Sequence, residues 1–228
     1  MIKNVLLDLD DTIFDFRLAE KIAVSKTLSD LGVEPHEKTV SRYSEINASL
    51  WKKLEKGEIS REEVLVNRFS LLFSELSLDC DAKLARKSYE KNLSIGHYFI
   101  YGAEELLKNL SGKYRLFLAS NGTSIVQRPR ILSSGIEKYF NGIFISEEIG
   151  FNKPDKRFFE AVFNTIEDFK HEETMIVGDS LSSDIKGGKN AGIKTCLFNP
   201  SGKSPVGEAM ADFEIKALSE LPSLIENL

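Results

Sequence analysis

Short apolar runs that end in a polar group alternate with amphipathic stretches over most of the chain. The first run, Val5, Leu6 and Leu7, is continuous rather than alternating, the pattern of a strand buried on both faces of a parallel sheet. It leads directly into Asp8, Asp10 and Asp11. From about Phe16 to Asn92 no strand pattern stands out, and apolar positions recur at helical spacing. A first predicted helix carries Leu18, Ile22, Val24, Leu28 and Leu31 and stops at Gly32, a residue suited to a helix C-terminus. A second covers Val40 to Lys56, with Tyr43, Ile46, Leu50, Trp51 and Leu54 on its apolar side. Ser60 and Glu63 stand at capping-box spacing ahead of a third, Val64 to Leu76, and a fourth spans Ala82 to Leu93.

Beyond that point strand and helix patterns alternate. Helices are predicted at Gly102 to Leu110, Ile125 to Ser134, Pro154 to about Phe169, Ser183 to Asn190 and the C-terminus. Strands are predicted at Tyr114 to Ala119, Gly142 to Ile145, Thr174 to Val177, Lys194 to Phe198 and near Phe213. Such alternation argues for a parallel sheet with helices on both faces. The expected fold is therefore α/β: a Rossmann-like three-layer parallel-sheet core, residues 1–15 and 94–228, with a helical bundle, residues 16–93, inserted after the first strand. Asn199 to Gly207 reads as an exposed loop.

Composition narrows the function classes. With 228 residues, 42% apolar and 29% charged, the chain is an ordinary globular protein large enough for one big domain or a domain with an insertion. A net charge of −5 and the absence of a basic cluster argue against a nucleic-acid polymer as partner. The N-terminal apolar run breaks at Asp8, too early for a membrane span or a secretory signal, so a cytoplasmic location is expected. Cys80 and Cys196 are far apart and read as reduced core thiols. His36, His97 and His171 are scattered, so neither histidine catalysis nor a zinc site is expected.

The polar ends of the strands carry the chemistry. Residues two apart on a strand share a side, so Asp8 and Asp10 are expected next to each other. Two carboxylates at a buried strand end require a proton or a shared cation, and Mg2+ suits oxygen ligands. Further strands run into Ser120-Asn121-Gly122, into Ser146 and two glutamates before Lys153-Pro154, and into Gly178-Asp179-Ser180 with Asp184 one turn later. The carboxyl ends of strands in an open parallel sheet face one crevice, so these groups should converge. Each also has a plain structural role: Ser120 as a helix cap, Lys153 as a solvated loop residue, Asp184 as an acid in a first helical turn.

The Asp-x-Asp-x-Thr of Asp8 to Thr12, Ser120, Lys153 and the Gly-Asp-x4-Asp of Gly178 to Asp184 together resemble the four ordered motifs of the haloacid dehalogenase-like hydrolases. The helical insertion is similar to that family's small cap. Leu50-Trp51 with Glu55 and Gly57, Ile145 to Gly150, and Val177 to Gly192 resemble its noncanonical pyrimidine 5'-nucleotidase branch. The resemblance implies a Mg2+-dependent phosphomonoesterase in which Asp8 is the nucleophile and Asp10 the general acid and base. Mg2+ would be held by Asp8, the Asp10 carbonyl and Asp179, with Asp184 behind them. Ser120, Asn121, Gly122 and Lys153 would hold the phosphoryl group. Asn47, Trp51 and Arg68, and further Phe14 and Asp15, are the candidates on the cap side. The implied partner is a small phosphorylated metabolite, a nucleoside monophosphate first, for a monomer or homodimer. A sugar-phosphate phosphatase, a phosphomutase and, from another class, a receiver-like phosphate-accepting module are the competing readings.

Overall fold

A computed structural model describes residues 1–202 and 210–228. Among the described residues, six parallel strands form one sheet in the order β3-β2-β1-β4-β5-β6. They are β1 (Asn4–Leu7), β2 (Arg115–Ser120), β3 (Gly142–Ile145), β4 (Thr174–Gly178), β5 (Lys194–Phe198) and β6 (Phe213–Ile215). The chain builds outward from β1 in one direction through β2 and β3, then returns to the other side of β1 with β4. β1 therefore lies at the point where the winding reverses, where an open sheet leaves a crevice beyond its strand ends. Leu7 is in register with Leu118 of β2 and Val177 of β4, which places the residue after Leu7 between the polar ends of both neighbours.

The continuous apolar runs are buried on both sides, as a three-layer arrangement demands. Val5 and Leu7 face a layer formed by α5 (Ala103–Leu110), Ile131 of α6 (Ser124–Ser134) and Leu221 and Ile225 of α10 (Leu221–Glu226). Leu6, Phe117 and Ile176 face the opposite layer, where Phe158, Phe159 and Val162 of α8 (Lys156–Phe163) pack. Between β3 and α8 lies the short α7 (Ser146–Ile149), and before β5 the short α9 (Lys186–Asn190). α9 lies close on the sheet: a Cβ on Gly188 would stand 2.5 Å from Ile176, so only glycine fits there.

The insertion consists of α1 (Phe16–Asp30), α2 (Glu37–Glu55), α3 (Arg61–Glu75) and α4 (Ala82–Leu93) around an apolar core of its own. Asp15 caps α1, and Ser60 and Glu63 form the expected capping box on α3. Two segments join insertion to sheet and bond to each other: Ile100 N donates to Ile13 O at 2.9 Å and Asp15 N to Tyr98 O at 2.7 Å.

Three sequence expectations change, and a fourth is not tested. Leu18 and Ile22 are exposed, and α1 instead buries Ala19, Ala23, Val24, Thr27 and Leu28. The small residues at 19 and 23 allow α4 to approach, so the larger Leu18 and Ile22 fall beside the contact. The helix expected to run from Pro154 to Phe169 ends at Phe163, with Thr165 Oγ1 donating to Val162 O at 2.7 Å and Asp168 left-handed. Hydroxyl and turn-forming side chains here compete with the helix for backbone partners. Cys196 is a core thiol, but Cys80 is only half-buried beside the insertion's core. The loop expected at Asn199 to Gly207 lies largely outside the described residues.

Candidate active site

Asp8 sits just past β1, fixed by its N–H to Val177 O at 3.0 Å. β1 stops at Leu7, so strand alternation no longer governs Asp8 and Asp10, although the Asp10 charge still acts on Asp8. The carboxylates that meet are Asp8, Asp179 and Asp184, whose oxygens lie within 4.8 Å of one another. Asp10 turns to α6, where Arg130 Nη1 donates to its Oδ1 and Gln127 Nε2 to its Oδ2, both at 2.7 Å.

A π-helical turn, Leu181–Ile185, delivers Asp184. The wide turn brings Asp184 back over the strand tip, where its Oδ2 accepts from Ser180 N at 3.1 Å. Such turns are frequent at functional sites. Gly178 is required beneath it, because a Cβ there would collide with the Asp184 carboxylate.

Lys153 is wholly buried among these acids. Its ammonium donates to Asp8 Oδ1 at 2.7 Å, Asp184 Oδ1 at 2.6 Å and Ala119 O at 2.6 Å. Its three protons are thereby used. Burial alone would lower the lysine pKa, but Asp184 and Asp8 outweigh it and hold the ammonium charged. Burial pushes Asp8 up to about 8, with Lys153 opposing and Asp184 adding to the rise. Burial likewise raises Asp179, reinforced by Asp8 and Asp184. One ammonium does not balance three clustered carboxylates, and the deficit matches a divalent cation. An all-oxygen donor set fits Mg2+.

The remaining core candidates divide by role. Ser120 is buried and its Oγ accepts from Gln127 Nε2 at 2.9 Å. The Asn121 amide clasps the Lys153 backbone in both directions, accepting from its N–H at 2.9 Å and donating to its carbonyl at 2.8 Å. This side chain sets the position of Lys153 and is not free for a phosphate. Gly122 lines the crevice against Gln127, and a Cβ there would stand 2.7 Å from that side chain.

On the insertion side a cavity of about 180 Å³ opens beyond Asp10 and Gly122. Phe16, Trp51, Leu65, Tyr89 and Val126 give it apolar walls, and Asp10, Glu55, Arg68 and Arg130 are its charged groups. Trp51 and Arg68 thus face the cavity. Asn47 does not: it is buried behind Arg68, accepting from Arg68 Nη1 at 3.3 Å and donating to Glu20 Oε1 at 2.7 Å. The Arg68 guanidinium also stacks on the Tyr89 ring at 4.5 Å. Phe14 is buried under Arg130 and Asp15 caps α1, so neither reaches the cavity.

Sequence reasoning missed Gln127, Arg130, Glu55 and Arg61. The first two share the buried stripe of α6 with Val126 and Ile131, and polar residues on an apolar stripe were the available signal. Glu55 Oε2 accepts from Ser182 Oγ at 2.7 Å, and Arg61 Nη2 donates to Ser146 Oγ at 2.6 Å and to Asn152. These side chains tie insertion to core across the crevice; Glu55 stands in the stretch that carries the family resemblance but was given no role there, and nothing local marks Arg61.

Comparison with known proteins agrees with this geometry. The chain is 40% identical over 219 residues to the HAD-hydrolase YfnB of Bacillus subtilis, covering 96% of this chain and 93% of that one. It is 37% identical over 220 residues to the pyrimidine 5'-nucleotidase PynA of Streptococcus pneumoniae, with 96% and 93% covered. The crystal structure of magnesium-bound YfnB, described as revealing interdomain movement, superposes with a TM-score of 0.93 at 39% identity, covering 98% of both chains. Residues 5–198 match the family described as haloacid dehalogenase-like hydrolase, and the chain belongs to that family.

Proposed function

We propose that this hydrolase is a Mg2+-dependent phosphomonoesterase acting through an aspartyl-phosphate, with pyrimidine nucleoside 5'-monophosphates as its preferred substrates. The observation that carries the chemistry is Asp8 at the strand tip, paired with a buried lysine inside a three-carboxylate cluster. Such a carboxylate is placed to be a nucleophile, and its surroundings call for the cation that phosphoryl transfer requires. Asp8, Asp179 and the Asp10 carbonyl are the groups that would hold Mg2+. Bound there, the ion supplies charge that offsets repulsion between carboxylate and phosphate.

Asp8 attacks phosphorus while the bond to the leaving oxygen breaks, and Asp10 gives that oxygen a proton. Water then attacks the aspartyl-phosphate, Asp10 takes its proton, and phosphate leaves. Lys153 neutralises phosphoryl charge and, together with the cation, favours the anionic, attacking form of Asp8 against the effect of burial. Ser120 and the backbone of Asn121 and Gly122 form the neutral side of the phosphoryl cradle.

The insertion serves as a cap. Its cavity offers flat apolar walls for a base, Trp51 for stacking and the Arg68 guanidinium for base oxygens. The name of PynA, 37% identical, supports a pyrimidine nucleotide over a sugar phosphate. Among the described residues no helix is long and apolar enough to cross a membrane, and the two cysteines are free; both accord with a cytoplasmic enzyme. Initial rates with Mg2+ on UMP, dUMP, dTMP, purine nucleotides and sugar phosphates test the assignment. Pyrimidine nucleotides should lead, and equal rates on sugar phosphates would remove the nucleotidase reading while leaving the phosphatase one.

A further inference from the structure

Arg130 is the largest of the wholly buried side chains, and it rises from the core helix α6 rather than from any strand-end motif. Each side of its guanidinium meets a different part of the molecule. Nη1 donates to Asp10 Oδ1 at 2.7 Å and to Gln127 Oε1 at 2.8 Å. Nε donates to Gly96 O at 2.5 Å, and the guanidinium lies over the Phe14 ring at 5.2 Å. Phe14 and Gly96 belong to the two segments that join sheet and insertion. Nη2 is buried with no partner among the described residues.

Stability alone does not account for this residue. A buried ion pair is often matched by apolar side chains of similar volume, and a buried donor without an acceptor is a net cost. An arginine here is explained by what it holds. Its target, Asp10, is the group that must be aimed at the leaving oxygen, and both Asp10 oxygens are gripped from α6, one by Arg130 and one by Gln127. Gln127 continues the chain of contacts to Ser120 at 2.9 Å.

We infer that Arg130 is a positioning residue: it aims the Asp10 carboxylate and ties that aim to the two segments on which the insertion is mounted. This rests on the phosphomonoesterase reading of the site. A shift of the insertion that displaces Gly96 or Phe14 must disturb the guanidinium, and through it Asp10. The proton moves between Asp10 and the leaving oxygen, then between water and Asp10; Arg130 neither gives nor takes one.

The test exploits leaving-group chemistry. p-Nitrophenolate leaves without protonation, whereas the ribose alkoxide of UMP needs the proton from Asp10. In Arg130→Met, turnover of UMP should fall about 100-fold, the scale of general acid–base catalysis, with KM changed by less than about threefold. With p-nitrophenyl phosphate the same variant should release a rapid burst of p-nitrophenolate approaching one per chain. A slow steady state should follow, because Asp8 still attacks while water activation is impaired. Arg130→Lys keeps the charge but loses the planar fork, and should show the same pattern with a loss of about tenfold. That variant carries the test if Arg130→Met does not melt cooperatively. Unreduced UMP turnover, or equal losses on both substrates with no burst in a folded variant, would overturn the inference. Wild-type protein without Mg2+-dependent phosphate release would instead overturn the phosphatase reading, and this inference with it.

Discussion

The two walls of the crevice are built in opposite ways. On the sheet side, charged groups stand at the ends of parallel strands, and Lys153 alone has Asp8, Asp184 and the Ala119 carbonyl around one ammonium. On the insertion side the walls are apolar, with Arg68 stacked on Tyr89 and backed by Asn47 and Glu20. Backbone topology fixes the first wall, since a residue just past a central strand can go nowhere else. Helix packing fixes the second, and helices slide and rotate far more readily than strands in a hydrogen-bonded sheet. The lesson is that chemistry and selectivity are held by different constraints, and substitutions on the two walls should therefore fail differently.

The largest effect is expected on the sheet wall. Asp8→Asn should reduce phosphate release by on the order of 10⁴-fold or more, the scale seen when a catalytic nucleophile is removed, with the thermal midpoint preserved. Asp179→Asn should leave the fold intact but raise the Mg2+ concentration for half-maximal rate by about 100-fold, read from a magnesium titration of initial rates. On the opposite wall the pattern should change. Arg68→Met should raise KM for UMP about tenfold while barely altering the rate on p-nitrophenyl phosphate, which lacks a base oxygen to read. Equal losses on both substrates would erase the division between the walls.

The smallest effect is one of pH on stability. Burial raises Asp8 from 3.8 to about 8 in the folded chain, so the native state holds that proton more tightly than the unfolded one. The associated stability is present below the unfolded value and is lost as pH rises through 8. Without Mg2+ the thermal midpoint should fall between about pH 5 and pH 8, and added Mg2+ should restore more at pH 8 than at pH 5, by a few degrees. A gain from Mg2+ that shrinks as pH rises would contradict the charge deficit assigned to the cluster.

The same division explains what could be read from sequence. The alternation after Asn92 and the polar strand ends at Ser120, Lys153 and Asp179 follow directly from period and order along the chain, and the observed sheet has the expected strands. The expected neighbours of Asp8 were incomplete, because reading them from strand alternation assumed that β1 continues past Leu7 and left out Asp184, which the turn after β4 brings in. Gln127 and Arg130 showed only as polar positions on the buried stripe of α6, and their partner, as for Arg61, could not be read because it lies 117, 120 and 85 residues away respectively. The stripe of α1 was misread for a related reason: which face of a helix is buried depends on the neighbour it meets, and small residues can outrank large ones there.

The central claim is that Asp8 forms a covalent bond to phosphorus. Rapid acid quench of a single turnover with UMP labelled in its phosphate, in the presence of Mg2+, tests it directly. Label should appear transiently on Asp8 and decay at the rate of phosphate release, and Asp8→Asn should carry none. Phosphate release at full rate with no label ever bound to the protein would contradict the account.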